Sequence, residues 1–176
     1  MKSILNLLFF ISGIFSLSAQ QYKPVDSKSE IQFTIKNFGL NTNGTLNGLK
    51  GVINFNPSNL SSASFNVSID VNTINTGVGM RDNHLKGEDY FNAEKYSTIN
   101  FVSTGVKTQN GGYIISGQLT IKGISKFISF PFTAVQQNDG MLFTGDFNIN
   151  RKDFNVGGSS AVLSNNVDVS LKVFAQ

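Results

Sequence analysis

Tyr113-Ile114-Ile115-Ser116-Gly117-Gln118-Leu119-Thr120-Ile121 is the stretch that decides the fold. Tyr113, Ile115, Leu119 and Ile121 fall on alternate positions, with Gly117 in phase and Ser116, Gln118 and Thr120 between them. A period of two belongs to a strand with one face on a core and the other in water. The pattern continues downstream through Ile128, Phe130 and Phe132, then Met141, Phe143, Gly145, Phe147 and Ile149, then Val167, Val169, Leu171 and Val173. Upstream it holds for Ile31, Phe33 and Ile35 and for Phe65, Val67, Ile69 and Val71. These are half-buried antiparallel strands, about eight in all, a number that suits a closed barrel or a two-sheet sandwich.

Turn chemistry separates the strands: Asn43-Gly44, Asn56-Pro57-Ser58-Asn59, Asn110-Gly111-Gly112 and Asn138-Asp139-Gly140. Asn110-Gly111 and Asp139-Gly140 take positive φ at low cost and read as hairpin turns. Gly48 and Gly51 flank the start of a strand at Val52–Phe55, where a missing side chain permits sharp coiling or a bulge. One region departs from the alternation. From Val78 to Tyr96, Met80, His84 and Leu85 share a helical spacing and Gly87 would stop the turns, which predicts one or two short helices lying across an opening or outside of the sheet.

The N-terminus sets the expected location. Lys2 precedes an apolar run, and Ser18-Ala19 leads into polar Gln20-Gln21-Tyr22-Lys23, the pattern of a secretory signal peptide with cleavage near Ala19. The expected division is therefore a leader at residues 1–19 and one domain at 20–176, in the periplasm or secreted from a bacterium. The chain has no cysteine, so neither a disulfide framework nor a lipidated cysteine is available. Its net charge of +3 is scattered, which argues against nucleic acid as a partner, since that needs a basic patch. Only 14% of residues are charged, so solubility rests on Asn, Ser, Thr and Gly.

Few residues offer chemistry. His84 is the only histidine, and a zinc site would have to be built almost wholly from carboxylates, so no metal is expected. Asp82 and His84 could form an oriented base pair, but no nucleophile is marked beside them and no Gly-x-Ser-x-Gly elbow occurs, so no enzyme is expected. His84 reads first as a structural hydrogen-bonding residue of the helical segment, then as a ligand contact. Arg81 and Asp82 either pair or cap a short helix, or Arg81 meets a phosphate or carboxylate head group. Arg151 and Asp153 read as a brace between turns.

Six blocks of the chain together resemble the YceI-like family of lipid- or polyisoprenoid-binding proteins. They are Ile74-Asn75-Thr76-Gly77 with Arg81-Asp82-Asn83-His84-Leu85; Asp89-Tyr90-Phe91; Tyr96-Ser97-Thr98-Ile99-Asn100-Phe101; Gly117 to Lys126; and Ile149 to Val156. The resemblance implies an extended eight-stranded antiparallel barrel, similar to a lipocalin, that holds a long isoprenoid or fatty chain. The family pattern has His-Ser before the first strand and a histidine after it, where this chain has Lys28-Ser29 and Asn37, and Ser97 stands for a usual proline.

Alternation and resemblance together nominate Phe33, Ile35, Phe65, Phe101, Leu119, Phe130, Phe132, Phe147 and Leu171 as tunnel residues. Leu85 and Phe91 would cover one end, with Arg81 and His84 nearer a head group. The implied partner is a long-chain apolar lipid or polyisoprenoid such as an isoprenoid quinone, exchanged by transient membrane contact. No further cofactor is required, and a dimer is compatible with the pattern. The competing reading is a secreted structural or protein-interaction module with a filled core, using loops such as Ser159–Asn166, because ordinary packing also explains every nominated residue.

Overall fold

The computed structural model describes residues 20–176, so the leader expected at residues 1–19 lies outside the described residues. Alternation builds the strands β1 (Gln21–Tyr22), β2 (Glu30–Asn37), β3 (Leu40–Asn54) and β4 (Ser64–Asn75). After the helix α1 (Gly79–Lys86) come β5 (Thr98–Gln109), β6 (Gly112–Ile121), β7 (Ile124–Gln137), β8 (Gly140–Asn150) and β9 (Leu163–Ala175). The eight long strands are ordered β3-β2-β9-β8-β7-β6-β5-β4, and pairing of β4 with β3 closes the ring. Every pairing is antiparallel. The molecule is therefore a closed barrel, and closure leaves no long unpaired edge.

Gly48 and Gly51 do what their position suggests. The β3–β4 register shifts between Thr45 and Asn47 and again between Asn47 and Lys50. Gly51 lies at φ +136°, and a Cβ there would collide with the Asn66 carbonyl oxygen, so only glycine lets the two strands approach at this corner.

One turn expectation is corrected. Asn43-Gly44 is interior to β3, because Gly44 lies opposite Phe33 and gives its ring room: a Cβ there would collide with the Phe33 ring. The turn before it is Phe38-Gly39 instead. The hairpin read at Asp139-Gly140 forms between β7 and β8, with the positive φ of 46° on the preceding Asn138 and Gly140 pairing with Gln137. Asn110-Gly111 forms its hairpin as read, at φ 48° and 79°. The Val78–Tyr96 segment contains the single helix α1 and then hydrogen-bonded turns. A second helix does not form because Gly87 caps the first, its N–H donating to His84 O at 3.0 Å, and Asn92 takes a left-handed φ of 49°.

The two ends of the barrel differ. At one end Phe55, 1% exposed, stands in edge-on contact with Phe65, Tyr113, Phe132 and Phe143 at ring separations of 6.3, 5.1, 6.0 and 5.5 Å. Here β1 adds to β3, and backbone hydrogen bonds between Lys23 and Gln176 join the two ends of the described chain. This end is packed shut. The opposite end carries α1, the 3-10 helix Arg151–Phe154, the segment before β9, and the β2–β3 and β6–β7 hairpins.

Candidate ligand-binding cavity

The barrel is not filled. A cavity of about 500 Å³ runs through it, floored by Ile53, Phe65, Phe132 and Phe143 at the packed end. Protein interiors hold few voids larger than a water molecule, so a space of this size is a compartment rather than a packing fault. Exposed His84, Ser160 and Val162 are among its lining residues, so it reaches solvent at the end that carries α1. That end is the mouth.

All the residues nominated from sequence line this cavity: Phe33, Ile35, Phe65, Arg81, His84, Leu85, Phe91, Phe101, Leu119, Phe130, Phe132, Phe147 and Leu171. The strands bring the aromatics together in pairs. Phe130 stacks on Phe147 at 4.5 Å, and Phe101 lies tilted against Phe130 at 5.8 Å. Leu85 and Phe91 pack at the mouth with Ile99 and Ile69. Ile69, Val169 and Val173 also line the cavity, in the same alternating phase as the nominated residues on their strands.

The polar groups of the lining sit mostly at the mouth. Arg81 donates from Nε to Thr76 Oγ1 and from Nη2 to the Thr76 carbonyl, both at 2.8 Å. Thr76 in turn donates from its hydroxyl and its backbone N–H to Asp82 Oδ1. Arg81 and Asp82 are thus linked through Thr76, a relay that the sequence did not reveal. The Thr76 hydroxyl holds the Asp82 carboxyl below the usual carboxylate range against a smaller opposing effect of burial, with Arg81 and Lys86 adding weaker help.

Two expectations about polar residues are corrected. Arg151, 4% exposed, does not brace Asp153. Its guanidinium turns inward and donates to the carbonyls of Ser164, Val156 and Gly158 at 2.8, 2.8 and 3.0 Å, and to Leu163 O and Asn165 Oδ1 at 3.4 and 3.3 Å. A buried guanidinium needs all its N–H groups met, and backbone carbonyls of the loop before β9 and of the start of β9 meet them more fully than one exposed carboxylate could. His84 is not a hydrogen-bonding strut. Its ring is exposed and stands edge-on to Tyr90 at 4.9 Å, and its nitrogens make no hydrogen bond among the described residues.

The motif blocks meet at this mouth. Lys122, at the β6–β7 turn, donates to the carbonyls of Glu88 and Asn155 at 2.8 and 2.9 Å, tying two of the blocks to each other and to the residue just before a third. Asn150 caps the 3-10 helix by accepting from Lys152 N–H at 2.9 Å. Among the described residues no group of three or more His, Cys, Asp or Glu side chains stands close enough to hold a metal.

A closed antiparallel barrel enclosing one apolar cavity with a polar mouth defines a lipocalin-like class, a form able to hold an apolar ligand. A family model described as the YceI-like domain matches residues 22–175, and the chain belongs to that family. It is 31% identical, over 96% of its length and 92% of the relative's, to a UPF0312 protein of Yersinia pestis (strain Pestoides F). The structure is similar to that of Burkholderia cenocepacia BcnA, with a TM-score of 0.83 and 26% identity over 87% of this chain and 99% of that one. It also shares its fold with a polyisoprenoid binding domain from Saccharophagus degradans, with a TM-score of 0.72 and 18% identity over 88% and 97% of the two chains.

Proposed function

We propose that this protein is an exported, non-catalytic carrier that holds a long apolar molecule, a polyisoprenoid or other long-chain lipid, inside its barrel. The unfilled apolar cavity carries this reading. Each buried methylene contributes about 0.8 kcal/mol, so a twenty-carbon chain offers on the order of 16 kcal/mol before entropy is subtracted. Affinity can therefore come from chain length with few polar contacts, which makes the absence of the family's two histidines tolerable. The head group would lie at the mouth beside Arg81 and His84. The name of the Saccharophagus degradans domain supports the isoprenoid class. The leader pattern of residues 1–19 supports periplasmic or secreted location, where such a carrier would exchange cargo with a membrane.

The alternative of a filled structural module would need side chains in the space that the cavity occupies. The test is native mass spectrometry followed by lipid extraction of protein purified from its own source. The expected result is a mature chain beginning near Gln20 with a co-purifying isoprenoid or fatty lipid. A ligand-free protein that takes up no such lipid on exchange would overturn the carrier function, and a chain still beginning at Met1 would overturn export.

A further inference from the structure

The β2–β3 hairpin places a phenylalanine where the fold least favours one. Phe38 sits at φ 50°, followed by Gly39 at 78°. The left-handed region is costly for a bulky L residue, and four of the other five non-glycine residues found there are asparagine, Asn92, Asn110, Asn138 and Asn155. Phe38 gains no compensating burial, being 75% exposed, and Leu40 beside it is 74% exposed. A side chain that is both conformationally strained and solvated has its favourable contact elsewhere.

Its position says where. The Phe38 N–H donates to the Val162 carbonyl at 2.9 Å, so the hairpin tip is joined to the segment before β9, whose Val162 is 39% exposed. Asn37 and Val162, on either side of that bond, both line the cavity. The exposed apolar surface is therefore continuous with the mouth. Thr45 of β3 lies opposite Asn75 of β4, so the chain leaves β4 toward Met80, 85% exposed, at the same end of the barrel.

The hairpin side of this rim carries no negative charge. Residues 36–42 and 157–167 carry one lysine, Lys36, and no carboxylate. α1 adds Arg81 and Lys86 against one carboxylate, Asp82, which keeps its charge under the hydrogen bonds from Thr76, and the turn after it carries Glu88 and Asp89. An apolar tip with a lysine and no carboxylate beside it fits the surface of a bilayer containing anionic lipid.

We propose that Phe38 and Leu40 form a membrane-docking tip that inserts into an anionic lipid surface and holds the mouth against it. This rests on the carrier reading for its purpose but on the hairpin alone for its mechanism. Docking lets an insoluble chain pass from bilayer to cavity without crossing water.

The experiment is flotation of the mature protein with vesicles of phosphatidylethanolamine and phosphatidylglycerol, comparing wild type with Phe38→Asn, Leu40→Ser and the double variant. Each single change is expected to weaken vesicle binding about tenfold or more, the worth of one buried large apolar side chain. Phe38→Asn is expected to melt no lower than wild type, since asparagine suits the left-handed turn. Vesicle binding by Phe38→Asn equal to wild type overturns the proposal. So does an effect seen only on self-association in light scattering, which would assign the tip to a second copy of the chain. Uptake of a fluorescent sixteen-carbon fatty acid from solution is measured alongside. Wild type that takes up the probe but shows no Phe38-dependent vesicle binding loses the docking tip alone, and Phe38-dependent binding without uptake defeats the carrier and keeps the tip.

Discussion

Thr76 shows how much of the mouth depends on a residue with no conspicuous chemistry. Its hydroxyl donates to Asp82 and accepts from Arg81, and its carbonyl accepts from Arg81 as well. This fixes the guanidinium against the cavity wall and anchors the start of α1. The Asp82 carboxyl is held below the usual carboxylate range, chiefly by the Thr76 hydroxyl. A depressed folded-state pKa contributes stability that is complete above the unfolded value, about pH 4, and is lost as pH falls through the folded value. Asp82→Asn should therefore unfold in urea at a lower concentration than wild type at neutral pH. The gap should close only in acid, below about pH 4. A gap that persists unchanged through strongly acidic pH would contradict this account. At this scale the sequence was only partly legible. Arg81 and Asp82 were visible as a pair, but the threonine between them was not, and Arg151 was matched to its neighbour in sequence because backbone carbonyl partners leave no trace in side-chain identity.

Strands and turns were legible to different degrees for a physical reason. Alternation reports which face is buried, and every strand it marked, from Ile31 to Val173, turns that face inward. A glycine after an asparagine reports only that the backbone is permissive. At Gly111 that freedom makes a turn, whereas at Gly44 it makes room for the Phe33 ring inside a strand. The true turn, Phe38-Gly39, lacked the expected asparagine. The same contrast gives a test among glycines at positive φ. Gly39 faces open space, so Gly39→Ala should cost only the left-handed penalty of about 1 kcal/mol. Gly51→Ala adds a methyl that collides with the Asn66 carbonyl oxygen and lies 2.7 Å from Val67 Cα, both backbone atoms. It should cost about 2 kcal/mol or more by forcing β3 and β4 apart at the bulge. Urea unfolding of the two variants checks the order, and equal losses would mean that the corner does not hold the seam.

Closure and emptiness are properties of the whole molecule, and alternation carries neither. A sandwich and a barrel use the same period, so closure was carried by the resemblance, and the β3–β4 pairing is what shows it. Nor does a count of inward side chains say whether their volumes fill the space between them. The cavity of about 500 Å³ exists because aromatics are concentrated at the packed end, around Phe55, while β2 and β9 contribute Ile and Val along much of their length. That distribution predicts how binding responds to substitution. Val169 lies opposite both Phe33 and Phe147 in the ladders and lines the cavity, so Val169→Trp fills open volume without removing a packed contact. Displacing about three methylenes of a bound chain should cost roughly 2.4 kcal/mol, or about fiftyfold in affinity. Arg81→Gln removes one charged contact at the mouth and should cost less, about 1 kcal/mol, because the head group there remains wet. Titration of both variants with a fluorescent long-chain fatty acid measures the order. If the Val169→Trp variant binds as tightly as wild type, the chain does not occupy the barrel.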